Sequence, residues 1–287
     1  MTRGVAIVTG AGRGVGRATA ERLARDGYVV VTGVRDLDRA HEEYGKQPGI
    51  QLVQLDVTNP AHIADAVALA EDFAGGPIDV LVNNAGHAMM GAQENGDLDA
   101  ARAMFETNLW GAAAMVQAVV PGMREAGRGT VVTVSSIGAR LTNPLIGFYH
   151  GSKYALSAFS EALAAEAGHF GVRVIMIEPG MIDTDFPKAT VLSADVTDPQ
   201  SPYAPLFTDL RAGFGAWRER DDASTAESCA QVICDAIAMS DPPMRIVVGE
   251  DAEELDRYLH ESADDHEFQG HLRAFLNLDW PPVPPRP

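Results

Sequence analysis

Seven short apolar runs, at residues 4–9, 28–32, 51–55, 79–82, 130–134, 172–177 and 245–248, are separated by stretches in which apolar residues recur at helical spacing. Strands that alternate with helices pair in parallel, because each helical crossover brings the chain back to the same end of the sheet. The pattern therefore predicts an α/β fold, a doubly wound parallel sheet of seven strands with helices on both faces. Sheets of this kind bind ligands beyond the carboxyl ends of their strands. The polar and glycine-rich sequences fall there: Gly10 to Gly16, Arg35-Asp36, Asp56-Val57, Asn83-Asn84-Ala85-Gly86, Ser135-Ser136 and Pro179-Gly180.

The first of these sequences carries the clearest chemistry. Val5 to Thr9 is an apolar run, Gly10-Ala11-Gly12-Arg13-Gly14-Val15-Gly16 follows at once, and a helical pattern continues through Arg25. Glycines allow a tight turn and let backbone N–H groups approach a pyrophosphate, which the positive end of the following helix stabilises. The spacing is Gly-x-x-x-Gly-x-Gly. Alone, such a turn is equally compatible with a purely structural strand-to-helix connection.

A second feature lies far along the chain. Tyr149 and Lys153 are four residues apart, so one helical turn stacks their side chains on a single face. A free tyrosine titrates near pKa ~10. At an effective dielectric of about 20, a cation ~4 Å away favours the phenolate by roughly 4 kcal/mol, an upper bound of about 3 pKa units. The pair is thus expected to bring a phenol into the range where it exchanges protons near neutral pH. A packed tyrosine beside an exposed lysine on an ordinary amphipathic helix is the competing explanation for the pair taken alone.

The chain has 287 residues, 46% of them hydrophobic, and a formal charge of −18. That size suits one large core, so residues 1–250 are expected to form a catalytic unit with a long loop at 181–224. Residues 251–287 are expected to add a C-terminal helix, around Glu253 to Glu261, and a Pro-rich tail to the same single domain. The charge argues against nucleic acid or anionic lipid as partners. No apolar stretch approaches the ~18–20 residues of a membrane span, and the first twenty residues hold no signal-like apolar core, so a soluble cytoplasmic protein is expected. Cys229 and Cys234, five apart in a helical pattern, are expected to be buried thiols, and nothing suggests a metal site.

Taken together, Thr9-Gly-Ala-Gly-Arg-Gly-Val-Gly16, Asn83-Asn-Ala-Gly86, Asn108, Ser136, Tyr149-x-x-x-Lys153 and Pro179-Gly180 resemble the short-chain dehydrogenase/reductase family over about residues 3 to 250. The resemblance implies a Rossmann-type fold and a nicotinamide-dependent carbonyl/alcohol oxidoreductase that assembles as a homodimer or homotetramer. Ser136 lies thirteen residues before Tyr149, the spacing usual in that family, and is preferred to Ser135, which is expected to face the core. By the same resemblance Tyr149 is the general acid/base, Ser136 polarises the substrate oxygen, and Lys153 holds the ribose and lowers the tyrosine pKa. Asn108 is implied to support a water-mediated proton relay. It sits within a helical pattern from about 99 to 126, and with Gly111 three residues on it is read as a local kink.

The resemblance also places Gly10, Arg13, Gly14, Val15, Gly16, Arg35, Asp56, Val57, Asn84, Ala85, Gly86, Pro179, Gly180, Ile182 and Thr184, with Tyr149 and Lys153, around the cofactor. Val34 occupies the position where an acid would bind the 2′-hydroxyl of NAD(H), and Arg35 follows it. With Arg13 as a second cation, NADP(H) is preferred over NAD(H). Asp36 as a ribose ligand is the alternative. His87, Met89, Leu141, Phe186, Phe214 and Trp217, with Ser136 and Tyr149, are expected around the substrate. Met90 and Leu145 are expected to add to an apolar pocket for a bulky ketone or alcohol of polyketide, steroid or terpenoid type. A non-redox dehydratase or cyclase, or a cofactor-sensing binding protein, remains open on the same fold.

Overall fold

Val5 and Ile7 of the first strand, β1 (Gly4–Val8), enter one apolar core, while Ala6 and Val8 enter another on the opposite side. This is why the run is apolar without alternation: helices cover both faces of the sheet. The computed structural model describes residues 3–220 and 223–278. After β1 come α1 (Gly14–Arg25), β2 (Tyr28–Val34), α2 (Leu37–Tyr44), β3 (Ile50–Gln54), α3 (Pro60–Ala74) and β4 (Val80–Asn83). Next are α4 (Leu98–Phe105), α5 (Ala112–Ala126), β5 (Gly129–Val134), α6 (Gly147–Gly168) and β6 (Val172–Pro179). The chain continues through α7 (Ala194–Thr197), α8 (Ala204–Arg218), α9 (Ala226–Ala238), β7 (Arg245–Val248), α10 (Glu250–Glu261) and α11 (Asp265–Phe275).

The seven strands form one parallel sheet in the order β7-β6-β5-β4-β1-β2-β3. The order reverses direction between β1 and β4, which opens a crevice at their carboxyl ends. On one face α3, α5 and α6 contribute Ile63, Met115, Val119 and Leu163 to the core around Ile7 and Leu81. On the other, α1 and α9 bring Leu23, Cys229 and Ile233 against Val8, Val30 and Val132. Cys229 and Cys234 are free and buried, and burial pushes both thiols up to about 12. Among the described residues no helix is long and apolar enough to cross a membrane.

A third cluster overturns two expectations. Residues 181–224 are not a long loop. They hold a 3-10 turn (Phe186–Ala189), a two-residue strand (Val191–Leu192) paired with Met89–Met90, α7 and α8. Their prolines punctuate short elements: Pro187 and Pro205 sit in first turns, where the missing N–H removes no helical bond. The C-terminal part, expected to hold one helix before the Pro-rich tail, forms two helices. Leu206, Phe207 and Leu210 of α8 pack with Leu255 of α10, Phe268 and Leu272 of α11 and Ile137, Leu141 and Leu145 from beyond β5. These elements build a cap over the carboxyl edge of the sheet. The Pro-rich tail, Trp280 to Pro287, lies outside the described residues.

Candidate active site

The glycine turn owes its shape to close packing. Gly10 has φ +64 and Gly14 φ +55, both in the left-handed region, and a Cβ on Gly10 would meet Ala85 Cα at 2.7 Å. A Cβ on Gly16 would lie 2.3 Å from Asn84 Nδ2 and 2.7 Å from Gly10 O. Asn84 fills that space because its Nδ2 donates to Thr9 O (3.0 Å) and Gly10 O (3.2 Å), while Thr9 Oγ1 accepts the Asn84 and Ala85 amides, each at 3.0 Å. The ends of β1 and β4 are thereby stitched at the crevice. Arg13, the residue before α1, is extended and provides no side-chain cap, so the first-turn amides of α1 are left to an external acceptor. Gly12, Gly14 and Val15 line the cleft beside them. A turn of this shape fits the pyrophosphate of a dinucleotide.

Farther along the cleft, Val34 ends β2 and Arg35 and Asp36 follow it. Asp36, the alternative ribose ligand, caps α2 with one carboxyl oxygen, its Oδ1 accepting the Arg39 amide at 3.0 Å. Arg39 is paired with Glu43 at 2.6 Å. Arg35 and Arg13 project as exposed cations on the cleft wall. Asp56 holds Thr58 N (2.9 Å) and Oγ1 (2.7 Å) on one carboxyl oxygen, and these bonds, the backbone one foremost, keep its carboxyl below the usual range. Asn59 caps α3 ahead of Pro60. Val57, Ala85, Gly86, Pro179, Gly180, Ile182 and Thr184 complete this half of the cleft.

Tyr149 and Lys153 share a face of α6 as the spacing predicts, with Lys153 Nζ 5.9 Å from the tyrosine ring centroid. The electrostatics differ from expectation. Burial pushes the Tyr149 phenol up to about 12, and the opposing influence comes from the Ser136 side chain, not from Lys153. Lys153 donates to Val134 O at 3.0 Å and is itself pushed down to about 8 by burial. Both groups are short of solvent, so each favours its neutral form. Ser136 sits where β5 gives way to a 3-10 turn (Ile137–Ala139), its Oγ accepting the Gly138 amide at 3.0 Å. Ser135 is buried against Ser157, Oγ to Oγ 3.0 Å, as expected.

Asn108 lies in a π-helical turn (Glu106–Gly111) between α4 and α5, where the sequence suggests a kink, and is 1% exposed. Its Oδ1 accepts His87 N, and its Nδ2 donates to His87 O and Ser152 Oγ, all at 3.0 Å. Both amide hydrogens are therefore used within the protein. The side chain clamps the segment after β4 to α6 at the turn that carries Tyr149.

His150, next to the tyrosine, fixes the loop beyond Ser136. Its Nδ1–H donates to Gly138 O (2.7 Å) and its Nε2 accepts the Asn143 amide (3.3 Å), which specifies the neutral tautomer. Burial pushes this imidazole down to about 4, from 6.5. Between those values the unfolded chain binds a proton that the folded one does not, so acidification through this window removes stability, up to about 3 kcal/mol. Urea unfolding at pH 7 and pH 4.5 checks this: His150→Gln is expected to be less stable than the wild type at pH 7 but to lose less on acidification. An equal loss in both proteins would remove His150 from the acid response.

The glycine turn, Arg35, Ser136, Tyr149 and Lys153 line one continuous cleft of about 990 Å³. Its far end is apolar: Met90, Leu141, Ile146, Phe186, Phe214, Leu255, Phe275 and Leu276. His87 also lines it, with its imidazole held down chiefly by burial. Two expected substrate residues do not. Met89 is 2% exposed and packs with Ala101 and Met104, because alternate residues of the short Met89–Met90 strand face opposite ways and only Met90 reaches the cleft. Trp217 stands behind the wall, stacked on Phe275 with centroids 4.4 Å apart and planes at 23°. Leu255, Phe275 and Leu276 were missed by sequence reasoning. The apolar spacing Phe268, Leu272, Phe275, Leu276 is a signal for an amphipathic helix that would have pointed to the last two; it does not extend to Leu255.

The sequence pattern of the family described as short chain dehydrogenase matches residues 4–194. This chain is a member of the short-chain dehydrogenase/reductase family, and an oxidoreductase. It is 33% identical over 276 residues to a 3-ketodihydrosphingosine reductase of Bacteroides thetaiotaomicron, covering 96% of this chain and 98% of that protein. A short-chain dehydrogenase of Streptomyces avermitilis superposes with a TM-score of 0.78 at 31% identity, over 96% of this chain and 94% of the other. A short-chain dehydrogenase of Burkholderia cenocepacia in complex with NADP gives 0.71 at 28%, over 96% and 98%. The relatives thus span the C-terminal helices as well as the sheet.

Proposed function

We propose that this short-chain dehydrogenase/reductase uses NADP(H) to interconvert a ketone and a secondary alcohol on a bulky apolar compound. The observation that carries the reading is that Ser136, Tyr149 and Lys153 line one cleft together with the glycine turn and a cluster of apolar side chains. The nicotinamide, when bound, supplies or accepts the hydride. The chain's own residues bind and orient around that step. Ser136 and Tyr149 donate hydrogen bonds to the substrate oxygen, where charge develops during reduction, and Tyr149 delivers its hydroxyl proton there. A phenol pushed up to about 12 is protonated at neutral pH, the form that gives its proton to the substrate oxygen during reduction. Lys153 holds the ribose hydroxyls. Asn108 sets the spacing between His87 and Tyr149 and supports proton transfer through that placement.

Arg35 and Arg13 receive the 2′-phosphate, and the engagement of Asp36 as a helix cap supports NADP(H) over NAD(H). The NADP-bound Burkholderia relative is consistent with this choice. The eight apolar residues at the far end suit a large hydrophobic substrate, because they bury apolar surface at ~25 cal/mol per Å² and keep water from the reacting carbon. The 3-ketodihydrosphingosine reductase among its relatives is named for a lipid ketone. Ketones graded in size, from cyclohexanone to decalones and long-chain alkanones, incubated with NADPH and followed at the nicotinamide absorbance, test the reading. Faster turnover of the larger ketones is expected. Cofactor binding without turnover of any ketone or alcohol would favour a non-redox or sensing role.

A further inference from the structure

Helix α10 is fastened at two points to the two loops that flank Ser136. At its N-terminus Asp251 is 5% exposed and accepts the Met181 amide at 2.6 Å. Its carboxylate also crowds Gly180, where a Cβ would meet Asp251 Oδ2 at 2.2 Å, so the loop after β6 must have glycine there. Five residues on, Asp256 Oδ1 takes Arg140 Nη1 at 2.5 Å. Arg140 ends the turn that begins at Ser136, and its Nη2 reaches Glu178 Oε2 at 2.6 Å. Glu178 is fully buried in β6 and is also paired with Arg245 of β7. The guanidinium fork thus joins three elements: the Ser136 turn, the sheet and α10. Leu255, adjacent to Asp256, lines the cleft, and Leu272 and Leu276 pack against the same helix side.

We infer that the Arg140–Asp256 pair determines substrate specificity, by holding the Leu255 wall of α10 at a fixed distance from Ser136. Neither residue touches the reacting atoms, so both are positioning residues. The inference rests on the reading of Ser136 and Tyr149 as the carbonyl site. Arg140 keeps Glu178 when Asp256 is lost, so removing Asp256 loosens α10 while leaving the buried pair intact. Removing Arg140 would instead leave Glu178 with Arg245 alone and is expected to impair folding.

The test compares wild type with Asp256→Ala and Asp256→Asn on the smallest and largest ketones the wild type reduces, with NADPH. In Asp256→Ala the preference for the large ketone, as a ratio of kcat/KM, is expected to fall about three- to ten-fold, chiefly through a raised KM. Asp256→Asn, which retains an acceptor for Arg140, is expected to recover part of the ratio. NADPH affinity, measured by calorimetry, is expected to be unchanged in both. A purely stabilising role would lower the melting temperature and leave the ratio alone. An unchanged ratio in Asp256→Ala, or loss of NADPH affinity in step with activity, would overturn the inference while the carbonyl-reductase reading stands. Failure of the wild type to reduce any ketone would remove both.

Discussion

Tyr149→Phe is expected to lower kcat by about 10²–10⁴-fold, the usual contribution of a positioned acid or base. The substitution removes one oxygen and little else. The ring keeps its place beside Phe186, 6.1 Å away between centroids, and Lys153 keeps its bond to Val134 O, so the fold and the dinucleotide half of the cleft are undisturbed. Cofactor affinity is accordingly expected to stay within about three-fold of wild type, whereas Lys153→Ala lowers both affinity and rate. Stopped-flow reduction together with calorimetric titration of NADPH separates the two effects. A phenylalanine variant that retained about a tenth of the activity or more would assign the proton to another group. Burial, not the lysine, dominates the resting phenol, so no tyrosine titration is expected between pH 6 and 9 in the apo protein's ultraviolet spectrum.

The second large effect concerns the dinucleotide. A guanidinium on a 2′-phosphate forms charge-assisted bonds worth ~1.5–3 kcal/mol, so NADPH is expected to bind roughly ten-fold or more tightly than NADH. Arg35→Asp replaces that cation with an acid at the end of β2, beside a residue, Asp36, that is occupied in capping α2. The variant is expected to bind NADPH at least about ten-fold more weakly and to match or invert the preference, because a carboxylate repels the phosphate and accepts from the 2′-hydroxyl. Equal affinities of the wild type for NADPH and NADH in calorimetry would refute the assignment of Arg35.

What the sequence makes legible, and what it hides, follows from the range of the interactions involved. Val5 to Thr9 with its glycine turn, and Tyr149 with Lys153, declare themselves because strand, turn and one helical face are local patterns that neighbouring residues dictate. The seven strands and their parallel order follow from the same patterns repeated. Met89 and Trp217 are misassigned for a different reason: one residue of register in a two-residue strand turns Met89 into the core, and one turn farther along α8 carries Trp217 past the cleft that Phe214 lines. Long-range packing also hides the C-terminal part. Nothing near Glu250 or Asp265 announces that α10 and α11 turn back over the sheet, since that depends on partners in α8 and beyond β5. The electrostatic expectation for Tyr149 is off for a related reason. Sequence spacing places the ammonium beside the phenol but does not show the desolvation both of them suffer.

The π-helical turn at Glu106–Gly111 has a consequence for the evolution of the chain. Such a turn accommodates one residue more than the α-helical turn it replaces. Deleting a single residue there would restore a continuous α-helix from α4 into α5 with its two flanks still nearly in phase, because the wide turn absorbs its extra residue. What would be lost is the widened turn itself, which holds Asn108 against His87 and Ser152 and brings Gly111 so near Val57 that a Cβ would meet its Cγ2 at 2.4 Å. A plain helix would be easier to form, but it would lack the bulge that aims Asn108, so the extra residue serves that clamp and not the helices on either side of it.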